Sequence, residues 1–281
     1  MIADALLDAL LDTLKLIPFL VVTYLAMEYL EHKTTAKTLV AVQKAGNYGP
    51  VIGAFLGAVP QCGFSAAASS LYGGKIISLG TLMAIYMSTS DEMLPILISE
   101  KAGAGFIFGV LGAKVAIGIF WGILTDFVFF RNERAHEHIH IHSWCEEAHC
   151  NCDKGIWGSA IKHTAQITGF ILVITAVLNV ILALLGDKSL EGLLFNHKIY
   201  GPLISAGIGL IPNCAASVVI TELYLEGAMN VGSMIGGLLS GAGVGWLVLA
   251  RTSKSPKTVI KVVVLLYLFG AVSGLLINLF M

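Results

Sequence analysis

Charge is what this sequence has least of: Asp, Glu, Lys and Arg make up 12% of its 281 residues, half of the ~25% usual in a soluble domain. Neither sign is in excess, with 17 Lys and Arg against 18 Asp and Glu and a net charge of −1. That excludes a basic nucleic-acid-binding face and an acidic disordered tail. There is no G-x-x-x-x-G-K-[ST] loop to hold nucleotide phosphates. No basic residue precedes the first apolar run and no small-residue cleavage site follows it, so Met1 to Thr13 does not read as a signal peptide. What is present is apolar: 56% hydrophobic residues and a mean hydropathy of +0.83. A soluble enzyme is excluded and an all-α polytopic membrane protein is expected.

Asp4, Asp8 and Asp12 recur between leucines as one acidic stripe on an amphipathic turn, which leads into a first span around 14–30. Further apolar stretches run over about 49–72, 76–99, 103–130, 157–185, 201–226, 228–250 and 258–280. The stretches 49–72 and 201–226 each carry Pro, amide and Cys in the middle, as Pro60-Gln61-Cys62 and Pro212-Asn213-Cys214. A mid-helix proline removes a hydrogen bond and clashes with the preceding turn, so both are expected to be broken, re-entrant hairpins. If each hairpin returns to its own side, Lys33, Lys37, Lys44, Lys75, Arg131, Arg134, Lys154, Arg251, Lys254 and Lys257 share one face, against Lys101, Lys188 and Lys198 on the other. Full crossings would scatter the same residues almost evenly. The positive-inside rule selects the hairpins, with a cytoplasmic 131–155 loop and both termini outside.

Residues 60–72 lie without gaps over 212–224, matching at Pro, Cys, Ser, Leu and Tyr. With three full crossings per half the second copy enters from the opposite side. The expectation is therefore two inverted repeats, 1–130 and 156–281, with about six full spans and two Pro-broken hairpins, ten segments in all. This is the plan of secondary transporters, whose sites lie at the midplane where broken segments meet.

An ionisable residue inside a span costs about 2.5–3.5 kcal/mol on insertion scales. Asp91 and Glu92, preceded by Ser88, Thr89 and Ser90, lie some fifteen residues into an apolar run and are the leading ion-binding and coupling candidates. The matching stretch of the second half, Ser240 to Gly245, has glycines in place of acids. Gln61 and Asn213 can coordinate a cation or cap a broken helix, and Ser65 and Ser217 follow them. Cys62 and Cys214 suit either a soft metal or simple packing. Glu222 is a second acid, placed near its hairpin's far end. Lys114, mid-span, is a coupling candidate that pairs with Asp91 or Glu92 when no cation is bound. In the central loop His136, His138, His140 and His142 alternate, followed by Cys145, Glu146, Glu147, His149, Cys150 and Cys152. Imidazole and thiolate suit Zn, Co, Ni or Cu, and the spacing is not the paired C-x2-C of a structural zinc site.

Val59 to Ser65, Met87 to Pro95, Ile211 to Ser217 and Thr221 to Gly227, with the His/Cys-rich loop, resemble the bacterial ten-transmembrane heavy-metal exporters, also called manganese transporters. The resemblance covers essentially the whole chain and implies ten segments and metal efflux. The expected function is secondary-active export of a divalent cation across the inner membrane, Mn2+ first among them, by proton antiport with alternating access. No cofactor is required, and the partners are the bilayer, the metal and protons, with a homodimer also allowed. Two alternatives stand beside it. One is export of arsenite, an organoarsenical or another anion through Lys114 and the helix N-termini; the other is a metal sensor or thiol enzyme using the loop.

Overall fold

The computed structural model describes residues 48–58, 62–90, 93–129, 197–253 and 255–280, with scattered helical positions between 7 and 25 and between 158 and 177. Among the described residues every regular element is helical. In chain order they are α1 Gly49–Gly57, α2 Cys62–Gly73, α3 Leu79–Ser88, α4 Met93–Ser99 and α5 Ala104–Leu124, which ends in a π-helical turn Thr125–Phe129. Then follow α6 Tyr200–Gly209, α7 Cys214–Leu225, α8 Val231–Ser240, α9 Gly245–Thr252 and α10 Pro256–Phe280.

The second five helices follow the first at a nearly constant spacing. Pro212 lies 152 residues after Pro60, and α7, α8, α9 and α10 each begin 152 residues after α2, α3, α4 and α5. The same spacing relates individual bonds. Ser78 accepts the Thr81 N–H at 3.1 Å to cap α3, and Asn230 accepts the Ser233 N–H at 2.8 Å to cap α8. Asp126, buried at the end of α5, accepts the Gly80 N–H at 2.9 Å, and Asn278 at the end of α10 accepts the Gly232 N–H at 3.0 Å. Glycines bring backbones together at equivalent places. A Cβ on Gly122 would lie 2.7 Å from the Gly80 carbonyl oxygen, and one on Gly274 would lie 2.6 Å from that of Gly232. Only a residue without a side chain permits that approach in an apolar bundle.

The halves are joined as a two-fold would join them. In such an arrangement, when one element meets a second across the interface, their counterparts also meet. Helix α2 packs on α9 and its counterpart α7 packs on α4; α3 touches α10 and α8 touches α5. Trp121 donates its indole N–H to Ser273 at 2.8 Å, and these two residues are each other's counterparts, so their contact lies on the pseudo-axis. The indole also stacks on Phe269 with centroids 4.0 Å apart.

Ala104–Phe127, Val231–Thr252 and Pro256–Phe280 are long and apolar enough to cross a membrane. The middle one is 83% buried against 28% and 39% for the others. It therefore lies in the interior, while α5 and α10 present Phe108, Phe120, Ile260 and Leu268 outward. The break around Pro212 falls where the sequence places it, between α6 and α7, while Pro60 lies outside the described residues. The stretch 76–99, expected as one span, is also broken, between Ser88 and Met93, at the register where Gly241 to Val244 interrupts the second half. Pro95 explains part of this. It is the third residue of α4, a first-turn position where its missing N–H has no intrahelical acceptor to lose.

Candidate functional site

The third helix of each half ends at a serine, Ser88 or Ser240. A broken helix exposes carbonyl oxygens that lipid cannot satisfy. In α3 the hydroxyls meet that need. The Ile85 carbonyl accepts from the Thr89 N–H at 3.0 Å, the Thr89 hydroxyl at 2.7 Å and the Ser88 hydroxyl at 3.1 Å, and the Ser88 carbonyl accepts from Ser90 at 3.2 Å. The Lys114 ammonium, 1% exposed, donates to the carbonyl of Thr89. A cation at a helix C-terminus lies at the negative end of the helix dipole. Helix α5 thus holds α3 at both ends, with Asp126 at its N-terminal amides and Lys114 at its C-terminal carbonyls.

The two breaks face one small cavity. Thr89, Ser90 and Lys114 line it from the first half, and Asn213, Ser217, Gly237, Gly241 and Gly243 line it from the second. It has room for about one water-sized sphere. Asn213 is 4% exposed and stands just before the N-terminus of α7. A hydroxyl whose proton goes to a carbonyl, as in Thr89 and Ser90, has only lone pairs left to offer. The wall therefore carries oxygen acceptors, one ammonium and the first turn of α7.

Of the sequence candidates, Thr89, Ser90, Lys114, Asn213 and Ser217 come together here. Ser88 is buried and bonded within α3. Ser65 is fully buried in a different contact, between α2 and α9. Glu222 is exposed on α7 and does not line the cavity. Gln61, Asp91 and Glu92 lie outside the described residues, as do the side chains of Cys62 and Cys214 and the whole His/Cys tract from His136 to Cys152. Among the described residues no three of His, Cys, Asp and Glu gather.

Several site-shaping residues carry no motif that would single them out in the sequence. Tyr86 is fully buried, and its hydroxyl meets Ser69 at 2.6 Å. The Ser69 hydroxyl also lies 2.6 Å from the Ser65 carbonyl oxygen and 2.7 Å from that of Gly245. This knot ties α2 to α9. Its counterpart in the second half pairs Thr221 with the Ser217 carbonyl at 2.7 Å, with Leu238 standing where Tyr86 does. The 152-residue register is the signal that could find them, since it sets Tyr86 over Leu238 and Asp126 over Asn278. An acid over an amide marks a shared geometry with a changed charge.

No curated protein and no solved structure matches the chain. One family does: its sequence model matches residues 1–187, two thirds of the protein. The chain is a multi-pass membrane protein that belongs to the family described as "Putative, 10TM heavy-metal exporter".

Proposed function

We propose that the protein is a secondary transporter that exports a divalent metal cation from the cytoplasm through the cavity between the two broken third helices. The observation that carries this reading is the meeting of both breaks, and of Lys114, at one small cavity, mainly apolar, that Thr89, Ser90, Asn213 and Ser217 help to line. Asp91 and Glu92 directly follow Ser90 in the chain. Hard oxygen donors favour Mn2+ over softer metals. Asp91 and Glu92 bind the cation and exchange it for protons, and Lys114 holds the end of α3 when the site is empty. The two halves, inverted in the membrane, alternate their access around this midplane site. The basic residues and the 131–155 loop lie on the cytoplasmic side of a bacterial inner membrane, where the His/Cys tract captures metal before transport.

A second reading draws on the same cavity. Lys114 and the first turn of α7 both supply positive potential, which suits an oxyanion such as arsenite. Proteoliposomes separate the two. Saturable Mn2+, Zn2+, Co2+, Ni2+ or Cd2+ flux driven by a pH gradient supports cation export. Flux of arsenite without flux of any cation transfers the site to the anion.

A further inference from the structure

The turns that end α2 and α7 are one turn built from different residues. The Lys75 N–H donates to the Tyr72 carbonyl at 2.9 Å and the Ile76 N–H to that of Leu71 at 2.9 Å. At the same register Gly227 donates to Tyr224 at 3.0 Å and Ala228 to Leu223 at 2.9 Å. Such a closure needs a left-handed residue, for which glycine is preferred. Gly227, at φ 77°, meets that need without strain, whereas Lys75, at φ 58°, carries a side chain there at a steric cost. A lysine held where its counterpart is glycine marks a side chain with a use. Among the described residues the other left-handed lysine, Lys101, follows Glu100 at the end of α4, which packs on α7 and its exposed Glu222 and Glu226. The α7 end is therefore acidic and the α2 end basic.

Other cations stand beside Lys75. The end of α2 lies against the end of α9, where a Cβ on Gly73 would lie 2.9 Å from the Thr252 hydroxyl oxygen. Arg251 is exposed in the last turn of α9, and three residues later α10 begins. Lys257 and Lys261 follow one turn apart, both exposed, and Ile260, Val264 and Leu268 continue the same face outward. The stripe is basic at its head and then apolar for about 12 Å at 1.5 Å per residue, most of one ~15 Å leaflet. Its counterpart on α5 has Gly105 and Gly109 in place of the two lysines, and Ser99 stands in place of Arg251.

We infer that this end of the bundle seats one anionic phospholipid. Its phosphate lies among Lys75, Arg251, Lys257 and Lys261, and an acyl chain runs down Ile260, Val264 and Leu268. Guanidinium and ammonium groups are the donors a lipid phosphate takes, and the N-terminus of α10 adds positive potential. The positive-inside rule asks only for basic residues on one side of the membrane. It asks neither for a lysine in a left-handed turn nor for cations aligned with an apolar stripe. A free phosphate would use the cations and leave the stripe idle, so the lipid is the occupant. The seat lies on the outer surface and does not depend on the cavity or on which solute is exported.

Native mass spectrometry of the purified full-length protein tests this, with titration by phosphatidylglycerol or by phosphatidylcholine of the same acyl chains. Phosphatidylglycerol should saturate at one molecule per chain and bind at least tenfold tighter than phosphatidylcholine. The triple variant Arg251→Gln/Lys257→Gln/Lys261→Gln, altered only at exposed positions, should lose that preference, and Arg251→Lys/Lys257→Arg/Lys261→Arg should keep it. Lys75→Gly takes the residue of its counterpart, so the turn is kept, and binding should weaken several-fold. Lys101→Gln, in the turn after α4, should bind as wild type does. Equal binding of the two lipids, phosphatidylglycerol binding that does not saturate, or undiminished preference in the triple variant overturns the seat. Displacement of the lipid by an equal concentration of inorganic phosphate also overturns it, in favour of a free anion. No metal enters the measurement, so its failure leaves the export reading standing, and failed metal flux leaves the lipid result standing.

Discussion

Asp126 and Asn278 do the same work with different charge, and that difference gives a graded prediction. Asp126 accepts two bonds at the start of α3, from the Gly80 N–H at 2.9 Å and from the Ser78 hydroxyl at 2.6 Å. Asn278 accepts the Gly232 N–H at 3.0 Å with a neutral amide and donates to the Lys198 carbonyl at 3.2 Å. Asp126→Asn keeps an acceptor for Gly80 but loses the charge on the helix N-terminus and the charge-assisted bond from Ser78. That costs about 1 kcal/mol. Asp126→Leu leaves a buried N–H and a part-buried hydroxyl without this acceptor, at roughly 1–3 kcal/mol each, so about 2–6 kcal/mol in all. Asn278→Asp adds charge at an equivalent helix start but loses the donor to the Lys198 carbonyl and sets an oxygen against it, so it should destabilise by about 1 kcal/mol. Unfolding of the detergent-solubilised protein, followed by denaturant titration, reads these differences. An Asp126→Asn variant as damaged as Asp126→Leu, or an Asp126→Leu variant within ~0.5 kcal/mol of wild type, refutes the equivalence of the two helix ends.

Other consequences are read more simply. Lys114→Met removes a charged donor from the buried Thr89 carbonyl and should cost about 1.5–3 kcal/mol; an unchanged melting curve removes Lys114 from the capping role. Tyr86→Phe deletes the hydroxyl on Ser69 and should cost roughly 1 kcal/mol. It should also raise the rate at which a cysteine at Ser65 reacts with a small thiol reagent in a background otherwise free of cysteine. An unaltered rate shows that the α2–α9 knot does not seal that side. Gly274→Ala forces a methyl against the Gly232 carbonyl oxygen and should destabilise by about 1–3 kcal/mol, whereas Gly112→Ala, with nothing near its Cβ, should be silent.

The Pro60 and Pro212 motifs make a 152-residue spacing legible in the sequence, because proline, cysteine and tyrosine in register are rare in apolar stretches. The register they set carries through to α10. Lys114, Thr89, Ser90, Asn213 and Ser217 are also legible, since a polar residue inside an apolar run demands a partner, and here they share one cavity. The break after Ser88 is not. Proline within a hydrophobic stretch reads equally as an interruption and as a first-turn residue, and only the packed helices distinguish the two. Ser88 has the sequence context of a ligand, yet its hydroxyl serves the end of α3. Hydroxyls satisfy broken helices and bind ions through the same oxygen, so sequence alone does not separate those uses. Asp126 gives no signal because it sits at the end of an apolar run, where a carboxylate normally reaches water; the fold buries it against an amide.

The proposal stands on cation export that runs through this cavity and depends on Asp91 and Glu92, which follow Ser90 in the chain. Metal flux in proteoliposomes under an imposed pH gradient tests it most directly, comparing wild type with the Asp91→Asn/Glu92→Gln double variant. The account predicts saturable divalent-metal flux in the wild type and loss of that flux in a double variant that still melts cooperatively. Undiminished flux in the double variant would contradict it.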